Sequence, residues 1–177
     1  MKYLVYFFVL AALCGLNSGL APYIQIHGQG PNLLFLFIFI LAIEATELDF
    51  MLPALLAGLF LDFYSGATFG SFTAALLITV FFVHKAVRQL AGLESNLKYL
   101  SLVLLPAQVA FTLIFYAYGF MAFKAGFSLV PPSSAQWLSR FLISFSFNLV
   151  LLYPIYILVG YLKSFMEKYI TREYKVR

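Results

Sequence analysis

Four uncharged stretches, Tyr3–Ile24, Phe63–Val83, Tyr99–Phe123 and Phe141–Leu162, dominate this chain. Each is about 20 residues or longer, enough to carry a helix across the ~30 Å hydrocarbon core of a bilayer. Lipid offers no water to satisfy a bare backbone, so segments of this kind fold as helices that keep their hydrogen bonds internal. Composition removes the alternatives. Of 177 residues, 63% are hydrophobic and 10% charged, against about 45–50% and about 25% in soluble domains. Such a chain cannot cover a water-facing surface, which excludes a soluble enzyme, a nucleic-acid-binding domain and a disordered polypeptide. The expectation is an all-α polytopic membrane protein.

Two shorter apolar runs, Leu33–Ile43 and Phe50–Leu61, flank the acidic segment Glu44-Ala-Thr-Glu47-Leu-Asp49. A second helix running from Pro31 to about Glu47 reaches about 17 residues, or ~25 Å, which nearly crosses a locally thinned bilayer. About six transmembrane helices are therefore expected. Breakers fall between them. Gly28-Gln-Gly30-Pro31-Asn32 reads as a turn with a proline suited to the first helical position. Asp49 is placed to cap helix three, Ser65-Gly66 ends it, and Val130-Pro131-Pro132 breaks the link between helices five and six. Tyr153-Pro154 predicts a kink in helix six.

The net charge of +4 does not point to nucleic acid, because the 11 Lys and Arg gather at the ends of the hydrophobic runs. With both termini in the cytoplasm, all of them except Lys124 and Arg140 lie on the cytoplasmic side, as the positive-inside bias requires. Lys2 and the apolar run behind it also resemble a secretory signal, but Leu13 before Cys14 and Pro22 after Ala21 are poor cleavage contexts, so a retained helix is expected. Residues 1–163 then form the six-helix transmembrane domain. Residues 164–177 form a basic amphipathic cytoplasmic tail, an anchoring end of helix six or a docking surface.

Chemical motifs are scarce. Cys14 is the single cysteine, so no disulfide framework or multi-cysteine metal site exists. No paired-histidine motif, Walker loop or nucleophile elbow occurs, and His27 and His84 fall on opposite sides of this topology. No catalytic residue, cofactor or metal is assigned. Glu44 and Glu47 share a helix face and oppose the dipole at a helix C-terminus, which suits either solvated headgroup-level carboxylates or contact with a basic partner. Asp62, among aromatic residues at the end of helix three, requires a partner. The free backbone N–H groups near Thr68–Ser71 are the nearest donors, which makes Asp62 a tie across the Ser65–Gly70 turn; a proton or ligand site at membrane depth is the other reading. Gly15 and Gly19, like Ala54 and Gly58, are small residues four apart that allow close helix packing, within the bundle or against a partner. Asn17, Gln108, Ser144 and Asn148 are further polar groups inside apolar segments.

The stretch Gly58-Leu-Phe-Leu-Asp62-Phe-Tyr-Ser65-Gly66-Ala-Thr-Phe-Gly70 resembles the signature of the rod shape-determining protein MreD family, Gly-Leu-x-x-Asp followed by Ser-Gly and a further Gly opening the next helix. Upstream, Gly30-Pro31-Asn32-Leu-Leu is similar to that family's Pro-Asp-Leu start of helix two, with Asn32 where Asp is usual. The acids Glu44, Glu47 and Asp49 replace the basic residues expected between helices two and three.

The resemblance implies a non-catalytic component of the bacterial inner membrane, with both termini cytoplasmic. Its partners would be membrane lipid, an MreC-like periplasmic coiled-coil protein, the MreB-like actin homologue system and the enzymes of lateral-wall peptidoglycan synthesis. It also implies a fold similar to the substrate-binding subunits of energy-coupling-factor vitamin transporters. The rival expectation is accordingly a small-solute transporter subunit. An intramembrane lipid enzyme would need a convergent acid–base pair that the sequence does not display.

Overall fold

The computed structural model describes residues 2–26, 28–45, 48–89, 97–127 and 137–169, nearly all of them helical. The elements are α1 (Lys2–Ile24), α2 (Leu33–Glu44), α3 (Met51–Ser65), α4 (Ser71–Gln89), α5 (Leu97–Lys124) and α6 (Trp137–Tyr169), with a 3-10 turn, Leu48–Phe50, leading into α3. Four spans are long and apolar enough to cross a membrane: Leu48–Ser65, Ser71–Gln89, Lys98–Lys124 and Leu138–Met166. The all-α class and its membrane character are as expected. Helix α1 extends over 23 residues, whereas α2 is shorter.

Helix two departs most from expectation. It has 12 residues and ends at Glu44, so it is about 18 Å long and too short to span. Its cap is Asn32, whose side chain accepts a hydrogen bond from the Phe35 N–H at 3.0 Å. Because the cap residue keeps a non-helical backbone, Pro31 stays one position outside the helix instead of opening it. Asp49 is not the cap of α3: that position belongs to Phe50, which makes no side-chain capping bond, while Asp49 lies in the 3-10 turn and accepts a hydrogen bond from Tyr3. The uncharged stretch Phe63–Val83 is also divided, because Gly66 adopts a left-handed φ of +65° that ends α3.

The other helices enclose α2. Neighbours pack in the order α1–α3–α4–α5–α6, and α2 touches α1, α3, α4 and α6. Every residue from Leu33 to Ile43 is buried, with Phe35, Phe37 and Phe39 fully covered. Only 22% to 39% of each of the four long spans is buried. A helix that is apolar on every face gains from being surrounded on every face, and flat rings fill the gaps: Phe35 packs on Phe111 of α5 with centroids 4.9 Å apart, and Tyr6 of α1 meets Phe37 edge-on at 6.5 Å. The outer faces carry exposed Leu4, Phe8, Phe82, Leu102 and Val150, a surface suited to acyl chains and not to water.

Helix six runs unbroken through Pro154 to Tyr169, and α5 runs through Pro106. The first residues of the expected tail therefore continue α6, and Met166 packs against the core. Residues 170–177 lie outside the described residues, as do Glu47, His27 and the Val130-Pro131-Pro132 breaker.

Candidate functional site

The α3–α4 hairpin gathers five residues of the Gly58–Gly70 stretch into one structural unit. Gly58 and Asp62 are one turn apart on α3 and face the first turn of α4. A Cβ built on Gly58 would sit 2.5 Å from the Thr73 Cα, so the two backbones meet where only hydrogen fits. Asp62 uses that closeness. One carboxylate oxygen accepts from the Phe72 N–H at 2.9 Å, and the other accepts from the Thr73 N–H at 3.1 Å and the Thr73 hydroxyl at 2.5 Å. The donors are thus Phe72 and Thr73, one and two residues beyond the Thr68–Ser71 segment expected from sequence. Although Asp62 opposes the dipole of its own helix, it lies on the positive start of α4 and satisfies groups that would otherwise be orphaned. Between them the Ser65 Oγ accepts from the Ala67 N–H at 3.2 Å. Gly70, at φ +89°, leaves room for Tyr118, whose hydroxyl donates to the Phe69 carbonyl at 3.2 Å.

A second polar cluster exists because α2 starts inside the bundle. Its first N–H groups need acceptors that water cannot supply at that depth. Three carboxamides provide them. Asn148 of α6 accepts from the Asn32 N–H at 3.1 Å, Asn17 of α1 accepts from the Leu33 N–H at 3.3 Å, and Asn32 itself accepts from Phe35. The Asn148 NH2 group donates to Gln108 of α5 at 2.8 Å, and Gln108 donates onward to Ser144 at 3.4 Å. Asn148 lies well inside α6, about 16 Å from the start of that helix at 1.5 Å per residue. The loop before α2 thus enters the bundle, and a cavity of about 390 Å³ opens beside it. Asn17, Asn32, Gln108, Arg140 and Ser144 are among its polar lining, with Phe72, Phe111 and Phe115 among the apolar. Asn32→Ala should lower stability by about 1 kcal/mol, whereas Asn32→Asp should be neutral or slightly stabilising because it keeps the cap and favours the dipole; thermal melting of the two purified variants distinguishes these outcomes.

At its other end α2 meets basic groups. His84 Nδ1 is 2.8 Å from the Ala42 carbonyl, Arg88 donates to the Ala45 carbonyl, and both side chains come from α4. His84 is buried with its ring tilted against Phe50, 4.8 Å between centroids. The Arg88 guanidinium at the last carbonyls complements the helix dipole. Glu44 pairs with Lys163 of α6 at 3.4 Å, so the chain itself supplies its basic partner. Lys163 remains half-exposed, and Glu44→Gln should cost less than about 1 kcal/mol in the same melting experiment.

The two small-residue pairs separate. Gly58 is locked against α4, while a Cβ at Gly15 or Gly19 would meet nothing within 4 Å, which leaves that face of α1 on the exterior. Ser144 and Asn148 share one face of helix six and are placed by the sequence to hydrogen-bond across the bundle, but nothing in the sequence names Gln108 as their partner or joins Asn17 to the start of α2. Thr73 and Tyr118 carried no signal at all. Among the described residues no three His, Cys, Asp or Glu side chains converge. Comparison with models of known protein families, with characterised proteins and with solved structures finds no match for this chain.

Proposed function

We propose that this chain is a non-catalytic scaffold of the bacterial inner membrane that takes part in cell elongation, as its resemblance to the MreD family implies. The observation that carries this reading is the α3–α4 hairpin, in which Gly58, Asp62, Ser65, Gly66 and Gly70 act together as a structural tie. Six passes of the chain through the membrane, the second made by the short α2 together with the loop that enters the bundle before it, and both termini in the cytoplasm complete the proposal. Its partners are membrane lipid, an MreC-like coiled-coil protein, the MreB-like filament system and wall-synthesis enzymes. The exterior Gly15–Gly19 face of α1 suits close contact with a partner helix. The test is depletion in a rod-shaped host together with affinity purification: cells should round up, and an MreC-like protein should copurify. Unchanged shape without copurification overturns the proposal. Labelling of Lys175 from the periplasmic side would overturn the orientation alone.

A second reading, the substrate-binding subunit of a small-solute transporter, is favoured by the 390 Å³ cavity at the start of α2. A turn held by reciprocal Ile26–Gln29 backbone bonds stands close by, with Gly28 and Gln29 in the cavity lining.

A further inference from the structure

The cavity beside the α2 cap falls within the ~300–1,000 Å³ range of small-molecule sites, and its polar lining offers donors and acceptors together. The side-chain oxygens of Asn17 and Asn32 accept from the Leu33 and Phe35 N–H groups, which leaves each NH2 group as a donor. Asn17 is 8% exposed, lines the cavity, and makes no hydrogen bond through Nδ2 among the described residues. The hydroxyls divide differently. Thr112 and Tyr64 donate their one hydrogen to the Gln108 and Ser18 carbonyls, at 2.8 and 3.4 Å, so each presents an oxygen that can only accept. Ser65 and Ser144 accept from the Ala67 N–H and the Gln108 NH2 group and still carry a hydrogen. The Tyr116 hydroxyl can act either way.

All of these groups are uncharged. Arg140 on the cavity wall already takes part in an interaction of its own, and the selection made by the other groups stands without it. No Asp or Glu lines the cavity among the described residues. An ion entering here would exchange water for neutral dipoles, a loss that an uncharged solute avoids. The apolar wall is aromatic: Phe72 packs on Phe111 and Phe115 with centroids 6.2 and 4.7 Å apart, and all three line the cavity. A flat ring laid on them gains stacked or edge contacts that an aliphatic body does not. A plain hydrocarbon would strand the Asn17 amide, and a small polar molecule would leave the aromatic wall bare.

We propose that this cavity binds an uncharged, planar aromatic solute that carries an amide carbonyl and its N–H. The carbonyl accepts from the NH2 groups of Asn17 and Asn32, the N–H donates to the hydroxyl oxygen of Thr112 or Tyr64, and the ring lies on Phe72, Phe111 and Phe115. This names a substrate class for the transporter reading and rests on that reading for what becomes of the ligand. Binding itself does not, because a scaffold can hold the same molecule.

The full-length protein in phosphatidylcholine nanodiscs provides the test, with quinolin-2-one, a bicyclic aromatic lactam, as the probe. Octahydroquinolin-2-one keeps the amide without the aromatic ring, naphthalene keeps the rings without the amide, and 2-naphthoate is the anionic counterpart. Binding is read by equilibrium dialysis against empty nanodiscs and by the ligand-dependent rise in melting temperature. Quinolin-2-one should bind saturably and ~10-fold or more tightly than each of the other three. Thr112→Phe, which sets a ring into the cavity, should abolish saturable binding. Asn17→Asp should weaken it ~10-fold, because this variant keeps the acceptor for Leu33 while turning an oxygen toward the carbonyl of the ligand. If the lactam does not saturate, or if both variants bind it as tightly as the unaltered protein, the proposal fails. It fails equally if 2-naphthoate binds more tightly, which would make the cavity an anion site, or if naphthalene does, which would make it a space for hydrocarbon. Should either variant lower the melting temperature of the empty protein, the order of the four compounds on the unaltered protein decides. Solute uptake by cells with and without the chain tests the transporter reading separately: saturable binding with unchanged uptake retains the site and overturns that reading.

Discussion

Gly58→Ala is expected to destabilise the bundle by about 3 kcal/mol, the upper end of the ordinary cost of overpacking a core. The new Cβ would lie 2.5 Å from the Thr73 Cα and 2.9 Å from its Oγ1. A flexible side chain can rotate away from such an intruder, but a helix backbone cannot. α3 and α4 must separate, which lengthens the bonds from Thr73 to Asp62 that depend on their closeness. Reversible unfolding in mixed micelles measures the effect, and the control is Gly15→Ala. That substitution meets nothing within 4 Å and should be neutral or stabilising by up to about 1 kcal/mol, since alanine is the better helix former. Equal losses at the two positions would show that the α3 and α4 backbones are not in contact at Gly58 and Thr73.

Asp62→Ala should cost about 3–5 kcal/mol. It leaves the Phe72 N–H, the Thr73 N–H and the Thr73 hydroxyl without their acceptor, and a buried polar group left unsatisfied costs about 1–3 kcal/mol. Asp62→Asn should lose less, about 2 kcal/mol, because one oxygen still accepts while the NH2 group faces donors. The pairing with Gly58 sharpens the test. Both residues act through the same approach of α3 to α4, so the double variant should lose less than the two single losses added together. Additive losses would mean that Asp62 and Gly58 stabilise separate parts of the hairpin. A loss below about 1 kcal/mol for Asp62→Ala would place its carboxylate in water instead of on the start of α4.

The positions that sequence inspection singled out had local causes. Asp62 was recognisable because a lone carboxylate among aromatic residues demands a partner, and the nearest orphan donors had to be those of the following helix. Gly66 followed a run of helix formers, and a left-handed cap is the common way such a run ends. Asn32 is different: the sequence places Pro31 at the first helical position, and only the structure makes Asn32 the cap. The register of these contacts was less legible: Phe72 and Thr73, not Thr68–Ser71, donate to Asp62, because the turn uses Gly66–Gly70 before α4 begins.

The partners of the distant amides were not legible in this way. Asn17 and Asn148 are 131 positions apart, yet they accept from adjacent N–H groups at the start of α2. Nothing local distinguishes a partner for one from a partner for any other amide in the chain. The same holds for Arg88 and His84, which complete the far end of α2 from another helix.

Helical, lipid-facing structure follows from the uncharged segments alone, since stretches of that length have no other stable state in a bilayer. The α3–α4 turn follows from the sequence too, because its glycines and aspartate act within a few residues of one another. That Leu33–Ile43 is the centre of the bundle and not another lipid-exposed span emerges from the packing of the helices. Apolar side chains pack equally well against acyl chains and against other helices, so hydrophobicity alone does not separate the two environments. What separates them is a helix too short to reach both faces, its ends closed by its own Asn32 cap and by four polar side chains from three other helices.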